Sequence, residues 1–170
     1  MRILGIDPGL DTTGYGIIDD AGDKIDLLEA GVIKTSHKEP IEVRLKMIYR
    51  GVAGLINKFK PNILVLEKLY SHYRHPTTAI LMGHGRGVIC LAAGEKKIQL
   101  VSYPAKKIKK AVTGNGNASK EQVQRMVANI LSIKAPAVPL DVTDALATAM
   151  THSYERRAAI NDIAYLRKGR

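Results

Sequence analysis

The chain opens with the segment Arg2-Ile-Leu-Gly-Ile-Asp7, an apolar run that ends in a carboxylate. A second run, Ile63-Leu-Val-Leu-Glu67, has the same form. Short apolar runs of this kind predict buried strands, and a charge at the end of such a strand needs a partner or a bound cation. Farther along, Asp141 and Asp144 lie three residues apart at the start of a helical stretch, which places both carboxylates on one helix face.

Together, these four acids predict a binding site for hard divalent cations such as Mg²⁺, because carboxylate oxygens are the ligands that such ions prefer. If the first and fourth strands are neighbours, Asp7 and Glu67 meet at one edge of the sheet and repel each other unless a cation is bound. Two cations held by four carboxylates can activate water and stabilise the leaving oxygen of a phosphodiester. That chemistry requires no covalent nucleophile.

Each acid also has an ordinary structural interpretation when it is taken alone. Asp141 can be a helix N-cap, and Asp144 can be a first-turn acid stabilised by the helix dipole. Glu67 can form a salt bridge with the adjacent Lys68 or with another basic residue. Asp7, which precedes a Pro-Gly pair, can be a turn residue.

Charge indicates the class of partner. The 170 residues include 26 Lys and Arg against 16 Asp and Glu, a formal net charge of +10. An excess of this size favours nucleic acid or another anionic surface. The length fits one domain, and 45% hydrophobic residues are enough for a folded core. A metal site in so basic a chain predicts an enzyme that acts on a polyanion.

Cysteine content and hydropathy bear on location. Cys90 is the only cysteine, so the sequence contains no disulfide framework, and its apolar surroundings favour a small buried side chain over a reactive thiol. No apolar stretch approaches the roughly 20 residues that span a bilayer. The first residues enter a strand pattern without the regions of a signal peptide. We therefore expect a soluble, cytoplasmic protein with no membrane association.

Periodicity and turn residues predict an α/β chain with a three-stranded antiparallel meander first and helices later. The predicted strands are Arg2–Ile6, Gly14–Asp19, Lys24–Thr35, Asn62–Glu67 and Lys97–Tyr103, and the predicted helices are 40–59, Thr77–Gly94, Lys120–Leu131 and Val142–Arg157. A basic segment, Ala105–Val112, has no assigned element. We expect one nuclease domain over residues 1–157 and a frayed, basic C-terminal tail over 158–170.

With the acids placed, the chain resembles the RuvC family of Holliday-junction resolvases, the crossover junction endodeoxyribonucleases. The resemblance covers about residues 1–155, in family order. Its pieces are Ile3-Leu-Gly-Ile-Asp7-Pro-Gly-Leu10, the strand ending in Glu67, Gly85-Arg-Gly-Val88, Tyr103-Pro-Ala, Gly114-Asn-Gly and Asp141-Val-Thr-Asp144-Ala-Leu-Ala147.

The resemblance implies a ribonuclease-H-like fold, a five-stranded mixed sheet flanked by helices. It implies a homodimer whose two active sites nick opposing strands of four-way junction DNA, with two Mg²⁺ ions per site and Mn²⁺ as an alternative. Cooperation with the RuvA and RuvB branch-migration proteins is also implied. The family's metal-binding catalytic acids correspond to Asp7, Glu67, Asp141 and Asp144 in this sequence.

The resemblance further implies DNA contacts. Lys109 and Lys120 fall where the family has basic residues important for junction binding, and Tyr70 falls where it has an aromatic that stacks on bases. Lys120 also opens a helix whose N-terminus can hold a phosphate. The loop 71–78 is about one residue longer than in better-known members, and we include Arg74 among the candidate DNA-binding residues. Ordinary solvated or core positions remain the alternative for each of these side chains.

Other functions share parts of the pattern. The Gly5-Ile-Asp7-Pro-Gly9 turn also resembles the first phosphate loop of actin-like ATPases and sugar kinases, but 170 residues leave no room for their second lobe. The YqgF-type relatives, associated with ribosomal RNA processing, share the fold and are usually shorter. A DNA-binding module without catalysis is a third alternative, against which the complete set of four acids argues.

Overall fold

A computed structural model describes residues 1–68, 76–133 and 139–168 of the chain. These residues form five strands and five helices. In chain order they are β1 (Arg2–Asp7), β2 (Thr12–Asp20), β3 (Ile25–Lys34), α1 (Ile41–Phe59), β4 (Ile63–Glu67), α2 (Pro76–Glu95), β5 (Gln99–Tyr103), α3 (Ala105–Thr113), α4 (Lys120–Ile130) and α5 (Leu140–Lys168).

The strands form one mixed sheet in the order β3-β2-β1-β4-β5. The meander β1-β2-β3 is antiparallel, whereas β4 and β5 run parallel to β1. The predicted five-stranded mixed sheet is therefore confirmed, as is the expectation that the first and fourth strands are neighbours. Because β1 and β4 are parallel, their C-terminal residues, Asp7 and Glu67, come to the same edge of the sheet.

Alternation along the strands divides the core between two faces of the sheet. Ile3 packs in the cluster that includes side chains of α3, α4 and α5, whereas Leu4 packs in the cluster that includes side chains of α1 and α2. Strand β4 follows the same rule, with Val65 on the first face and Leu66 on the second. The sheet is thus covered by helices on both sides.

Helix α5 lies directly on β1 and β2 at the centre of the sheet. Glycines permit this approach. A Cβ atom on Gly5 would lie within 3.0 Å of the Ala145 carbonyl oxygen, and one on Gly16 would meet the Leu146 side chain. Real Cβ atoms are essentially never so close to other atoms, so these glycines let the helix backbone lie against the sheet.

Two predictions about helices were incomplete. The basic segment left unassigned is helix α3, capped at its C-terminus by Gly114 with a positive φ of 77°. Helix α5 begins at Leu140 and continues to Lys168, so its predicted end at Arg157 was 11 residues early. Residues 158–168, expected as a frayed tail, continue this helix.

The continuation of α5 begins just after a buried anchor. Asp20 of β2 is 2% exposed, and its carboxylate accepts bonds from the Ser153 hydroxyl at 2.9 Å and from Arg157 at 2.7 Å.

The remaining predicted helices and strands agree with the structure to within about two residues at each end. Among the described residues, no helix is long and apolar enough to cross a membrane.

Candidate active site

A cavity of about 470 Å³ opens at the C-terminal edge of β1 and β4. All four predicted acids line it. Its walls come from β1 and the turn after it, β4, α2, α3, α4 and α5, and comprise Asp7, Pro8, Gly9, Thr12, Glu67, Met82, Ala105, Ile108, Lys109, Lys120, Val123, Asp141 and Asp144. The structure thus brings the four predicted acids together at one cavity.

Strand alternation aims two of the acids toward α5. Positions 3, 5 and 7 of β1 share one face, and Ile3 and Gly5 on that face pack against α5 and its neighbours. Asp7 therefore faces the helix layer that contains α5. Val65 lies on the same face of β4, so Glu67, two residues later, has the same orientation.

Helix α5 supplies the other two acids. Asp141 lies in its first turn, and Asp144 lies almost one turn later on the same side. The alternative that made Asp141 an N-cap is wrong, because the helix already begins at Leu140 and the amides of Val142 and Thr143 donate to the Pro139 carbonyl. For Glu67, no ion pair with Lys68 is present among the described residues.

Burial and the neighbouring carboxylates raise the pKa values of two of the acids. Burial, followed by the charges of Asp144, Glu67 and Asp141, raises the pKa of Asp7 to about 7. Burial and the charge of Asp144 also raise the pKa of Glu67. Positive charge is therefore strongly favoured in this cavity.

Lysine side chains at the rim of the cavity supply part of this positive charge. The Lys120 ammonium donates to Asp144 Oδ2 at 3.1 Å, and this bond raises the pKa of Lys120. Lys109 lines the same cavity, but its ammonium donates to the Ala118 carbonyl at 2.7 Å and so ties α3 to the loop before α4. Both lysines predicted to contact DNA are thus at the cavity, and both have intramolecular partners.

The N-terminus of α4 is capped by side chains of its own first turn. Ser119 is the N-cap and accepts from the Gln122 amide at 3.2 Å, while Gln122 Oε1 accepts from the Ser119 amide at 2.8 Å. This capping box fixes where Lys120 leaves the helix. It also occupies two of the amides that the sequence offered for a phosphate.

Sequence reasoning gave no role to Arg86, which lies in the Gly85-Arg-Gly-Val88 motif. Its guanidinium donates to the Glu67 carbonyl at 2.6 Å and to the Ser102 hydroxyl at 2.8 Å. Arg86 therefore ties α2 to the ends of β4 and β5, next to a candidate ligand. The isolated arginine between two small residues was the available signal.

His152 lies on α5, two turns beyond Asp144. Its Nδ1 atom lies 2.9 Å from the Tyr103 hydroxyl, and it does not line the cavity. Burial, followed by the charge of Arg156, lowers its pKa. Tyr70 and Arg74 lie outside the described residues, so their predicted DNA contacts remain predictions.

The donor chemistry of the cavity fits a hard divalent cation, because the described residues that line it include four carboxylates and no thiolate or imidazole. Even so, no three acid, histidine or cysteine side chains of the described residues are already arranged around a metal position. Asp7, Glu67, Asp141 and Asp144 are the residues that would hold such a cation.

Comparison with known proteins gives the same result as the site. The family model for the crossover junction endodeoxyribonuclease RuvC matches residues 3–152. A RuvC of Rhodopirellula baltica is 44% identical over 152 residues, 89% of this chain and 85% of that protein. A RuvC of Natranaerobius thermophilus is 41% identical over 157 residues, 92% of this chain and 97% of that protein.

A solved structure of Thermus thermophilus RuvC in complex with a Holliday junction substrate aligns with a TM-score of 0.87 and 34% identity, covering 94% of this chain and 96% of that one. This likeness confirms the ribonuclease-H-like fold. Both the sequence relatives and the structure match nearly the whole chain. The protein therefore belongs to the RuvC family of crossover junction endodeoxyribonucleases.

Proposed function

We propose that this chain resolves four-way DNA junctions by hydrolysing phosphodiester bonds at the acidic cavity of Asp7, Glu67, Asp141 and Asp144. The observation that carries the proposal is the convergence of four carboxylates, from β1, β4 and α5, in one cavity rimmed by Lys109 and Lys120. The family's nucleases are metal-dependent. A relative of the same fold holds a Holliday junction substrate.

The cations in the proposal are Mg²⁺, two per site, with Mn²⁺ as an alternative. When held by these carboxylates, the cations would supply water activation and charge stabilisation at the scissile phosphate. The chain's own part is to orient the ligands. Asp7 and Glu67 are fixed by their strand ends, while Asp141 and Asp144 are fixed by the first turns of a helix that packs on the sheet.

Positive charge around the cavity brings the DNA to these acids. The formal net charge of +10 provides long-range attraction for a polyanion. Lys120, which is 60% exposed in its side chain, can turn from Asp144 to a phosphate without losing a charged partner. Tyr70 as a stacking aromatic and Arg74 as a phosphate contact complete the proposed DNA-binding set.

Resolution requires nicks in two strands, and we place the second active site in a second copy of the chain. Helix α2 leaves Ile80 60% exposed and Leu91 54% exposed, and Met47 of the neighbouring α1 is 42% exposed. Large exposed apolar side chains on adjacent helices are typical of a protein–protein contact. We propose this surface for the homodimer, and cooperation with RuvA and RuvB rests on family membership.

Incubation of the purified protein with labelled substrates tests the proposal. We expect paired, symmetric nicks in a four-way junction when Mg²⁺ is present, no cleavage in EDTA, and little cleavage of linear duplex of the same sequence. The Asp7→Asn variant, run in parallel, controls for a contaminating nuclease. Equal cleavage of duplex and junction, or binding without any cleavage, would contradict the proposed function.

A further inference from the structure

Helix α3 carries lysines on two faces, and only one of them belongs to the acidic cavity. Ala105, Ile108 and Lys109 line the cavity. Lys106 and Lys110, four residues apart and therefore on one side of the helix, line a separate groove of about 680 Å³. The groove and the cavity are thus separated by little more than the width of one helix, ~10–12 Å with side chains.

Charge in the groove is largely uncompensated. Lys107, which also lines it, pairs with Glu155 at 2.5 Å, and its ammonium lies 5.3 Å from the centre of the Tyr103 ring. Lys106 and Lys110 form no ion pair with any residue that the structure describes, and both are exposed. The pairing of Lys107 leaves these two lysines as the groove's net positive charge.

The groove has a fixed wall. The turn after α3 folds back so that Gly116 packs on the start of the helix, where a Cβ atom on Gly116 would lie 3.1 Å from the Lys106 carbonyl oxygen. Asn117, on the same turn, has its amide bonded to Asn115 Oδ1 at 2.9 Å. The two lysines are therefore presented along one side of a preformed channel.

We propose that this outer face of α3 binds the phosphate backbone of a DNA arm after the strand has passed the active site. The inference rests on the proposed function and extends its DNA-binding surface. A backbone held at Lys109 needs to travel only around one helix to reach Lys106 and Lys110. A repeating anion is the occupant that fits, because two unpaired ammonium groups on one helix face match successive phosphates.

The test compares two double variants that remove the same charge. The double variant Lys106→Ala/Lys110→Ala removes the two unpaired ammonium groups from the groove. Lys58→Ala/Lys96→Ala removes two exposed lysines near the ends of α1 and α2, at the opposite edge of the sheet from the acids. Junction dissociation constants are measured for both variants and for the wild type over a series of salt concentrations.

We expect the groove variant to flatten the slope of log K against log [salt] by about 1.8 units for each bound protomer, the loss of two phosphate contacts. The control variant should change the slope by much less. The cleavage rate at saturating junction should be unchanged in the control variant, because Lys58 and Lys96 lie at the opposite edge of the sheet from the acidic cavity. Equal slopes for the two variants would overturn the inference and would leave an acidic protein segment as the groove's partner.

Replacing single phosphates of the DNA by uncharged linkages identifies which phosphates the groove contacts. Single methylphosphonate linkages along one arm should weaken wild-type binding at the phosphates that the groove contacts and should have no effect there in the groove variant. Coupling only at the crossover, or none along the arm, would also overturn the inference. Failure of the wild type to bind or cut junctions would instead contradict the proposed function, which separates the two conclusions.

Discussion

Gly14 stands between two of the acids. It pairs with Asp7 across β1 and β2, and a Cβ atom on it would overlap the backbone carbonyl of Asp141 at less than 3.0 Å. The first turn of α5 can therefore lie beside Asp7 only because position 14 has no side chain. The contact between the backbones of Gly14 and α5 therefore determines how close the carboxylates of Asp7 and Asp141 lie.

A methyl group at this position tests that dependence. Gly14→Ala should lower the cleavage rate by about 100-fold, the cost of misplacing a reacting group by about 1 Å, and should weaken Mg²⁺ binding measured by calorimetry. Gly54→Ala is the control, because a Cβ atom at this position of α1 would have no neighbour within 4 Å. Full activity in a folded Gly14→Ala protein would contradict this account.

The acids themselves provide the next prediction. Asp7→Asn should reduce junction cleavage by about 1,000-fold or more, because a buried ligand and its charge are lost from the metal site. Junction binding in EDTA should be equal or tighter, since a carboxylate that repels phosphate has been removed. Asp19→Asn, an exposed acid of β2, should leave both quantities unchanged. Retained Mg²⁺-dependent cleavage by Asp7→Asn would exclude a metal role for Asp7.

A pH dependence follows from the raised pKa of Asp7, about 7 against an ordinary value of 3.8. Between these two values the folded protein keeps a proton that the unfolded chain has released, so the metal-free protein should lose stability as pH rises from about 4 to about 7. Cation binding needs the deprotonated acid, so Mg²⁺ affinity should rise over the same range.

Calorimetry at pH 6 in buffers of different ionisation enthalpy should detect close to one proton released per site on cation binding. The same titration of Asp7→Asn should show a much smaller release. A wild-type affinity that is flat between pH 5 and pH 8 would show that Asp7 is already ionised in this range.

Lys120 should compete with the cation in the absence of DNA, because its ammonium occupies Asp144 Oδ2. Lys120→Met is expected to raise Mg²⁺ affinity by about 3- to 10-fold, the equivalent of roughly 1 kcal/mol, and to slow junction cleavage. Lys109→Met is a suitable control because its ammonium bonds a carbonyl rather than a carboxylate. Weaker Mg²⁺ binding by Lys120→Met would exclude this competition.

A fifth prediction concerns stability rather than chemistry. Burial favours the neutral form of Asp20, but bonds from Arg157, the Gly22 amide and Ser153 outweigh it and lower the pKa. The stabilisation is therefore present above the unfolded pKa near 4 and is lost at lower pH. Asp20→Asn should cost about 2 kcal/mol in urea unfolding at pH 7, less than a fully buried pair because Arg157 keeps some solvent contact.

The neighbouring Asp19→Asn is again the control. Its partners are the N-terminal ammonium and Arg2, and its side chain is 38% exposed, so the free energy of unfolding should change by less than about 1 kcal/mol. A similar loss in both variants would mean that burial of Asp20 adds nothing to its ion pairs.

Much of the sheet was predictable from sequence because its strands are short apolar runs with clear ends. The placement of Asp7 and Glu67 followed from the parallel neighbours that carry them. The i, i+3 spacing correctly put Asp141 and Asp144 on one side of a helix. Each of these features is local, and strand and helix periods express local geometry directly.

Other features depend on contacts that no local pattern encodes. The role of Gly14 requires knowing which helix crosses β2, and the bond from Arg86 to the Glu67 carbonyl joins residues 19 apart in sequence. Helix α3 was left unassigned because four lysines dominate the run Ala105–Thr113, although Ala105, Ile108 and Val112 recur at helical spacing. The end of α5 was placed early because residues 158–162 are exposed and continue no apolar face.

The order of the acids along the chain has a consequence for biosynthesis. Asp7 and Glu67 lie on β1 and β4, whereas Asp141 and Asp144 lie on α5, which follows every strand of the sheet in the chain. Because α5 packs on the two strands at the middle of the sheet, the core and the set of acids are completed together. A nascent chain that has not yet added α5 therefore holds two of the acids without their partners, and its sheet lacks part of its cover.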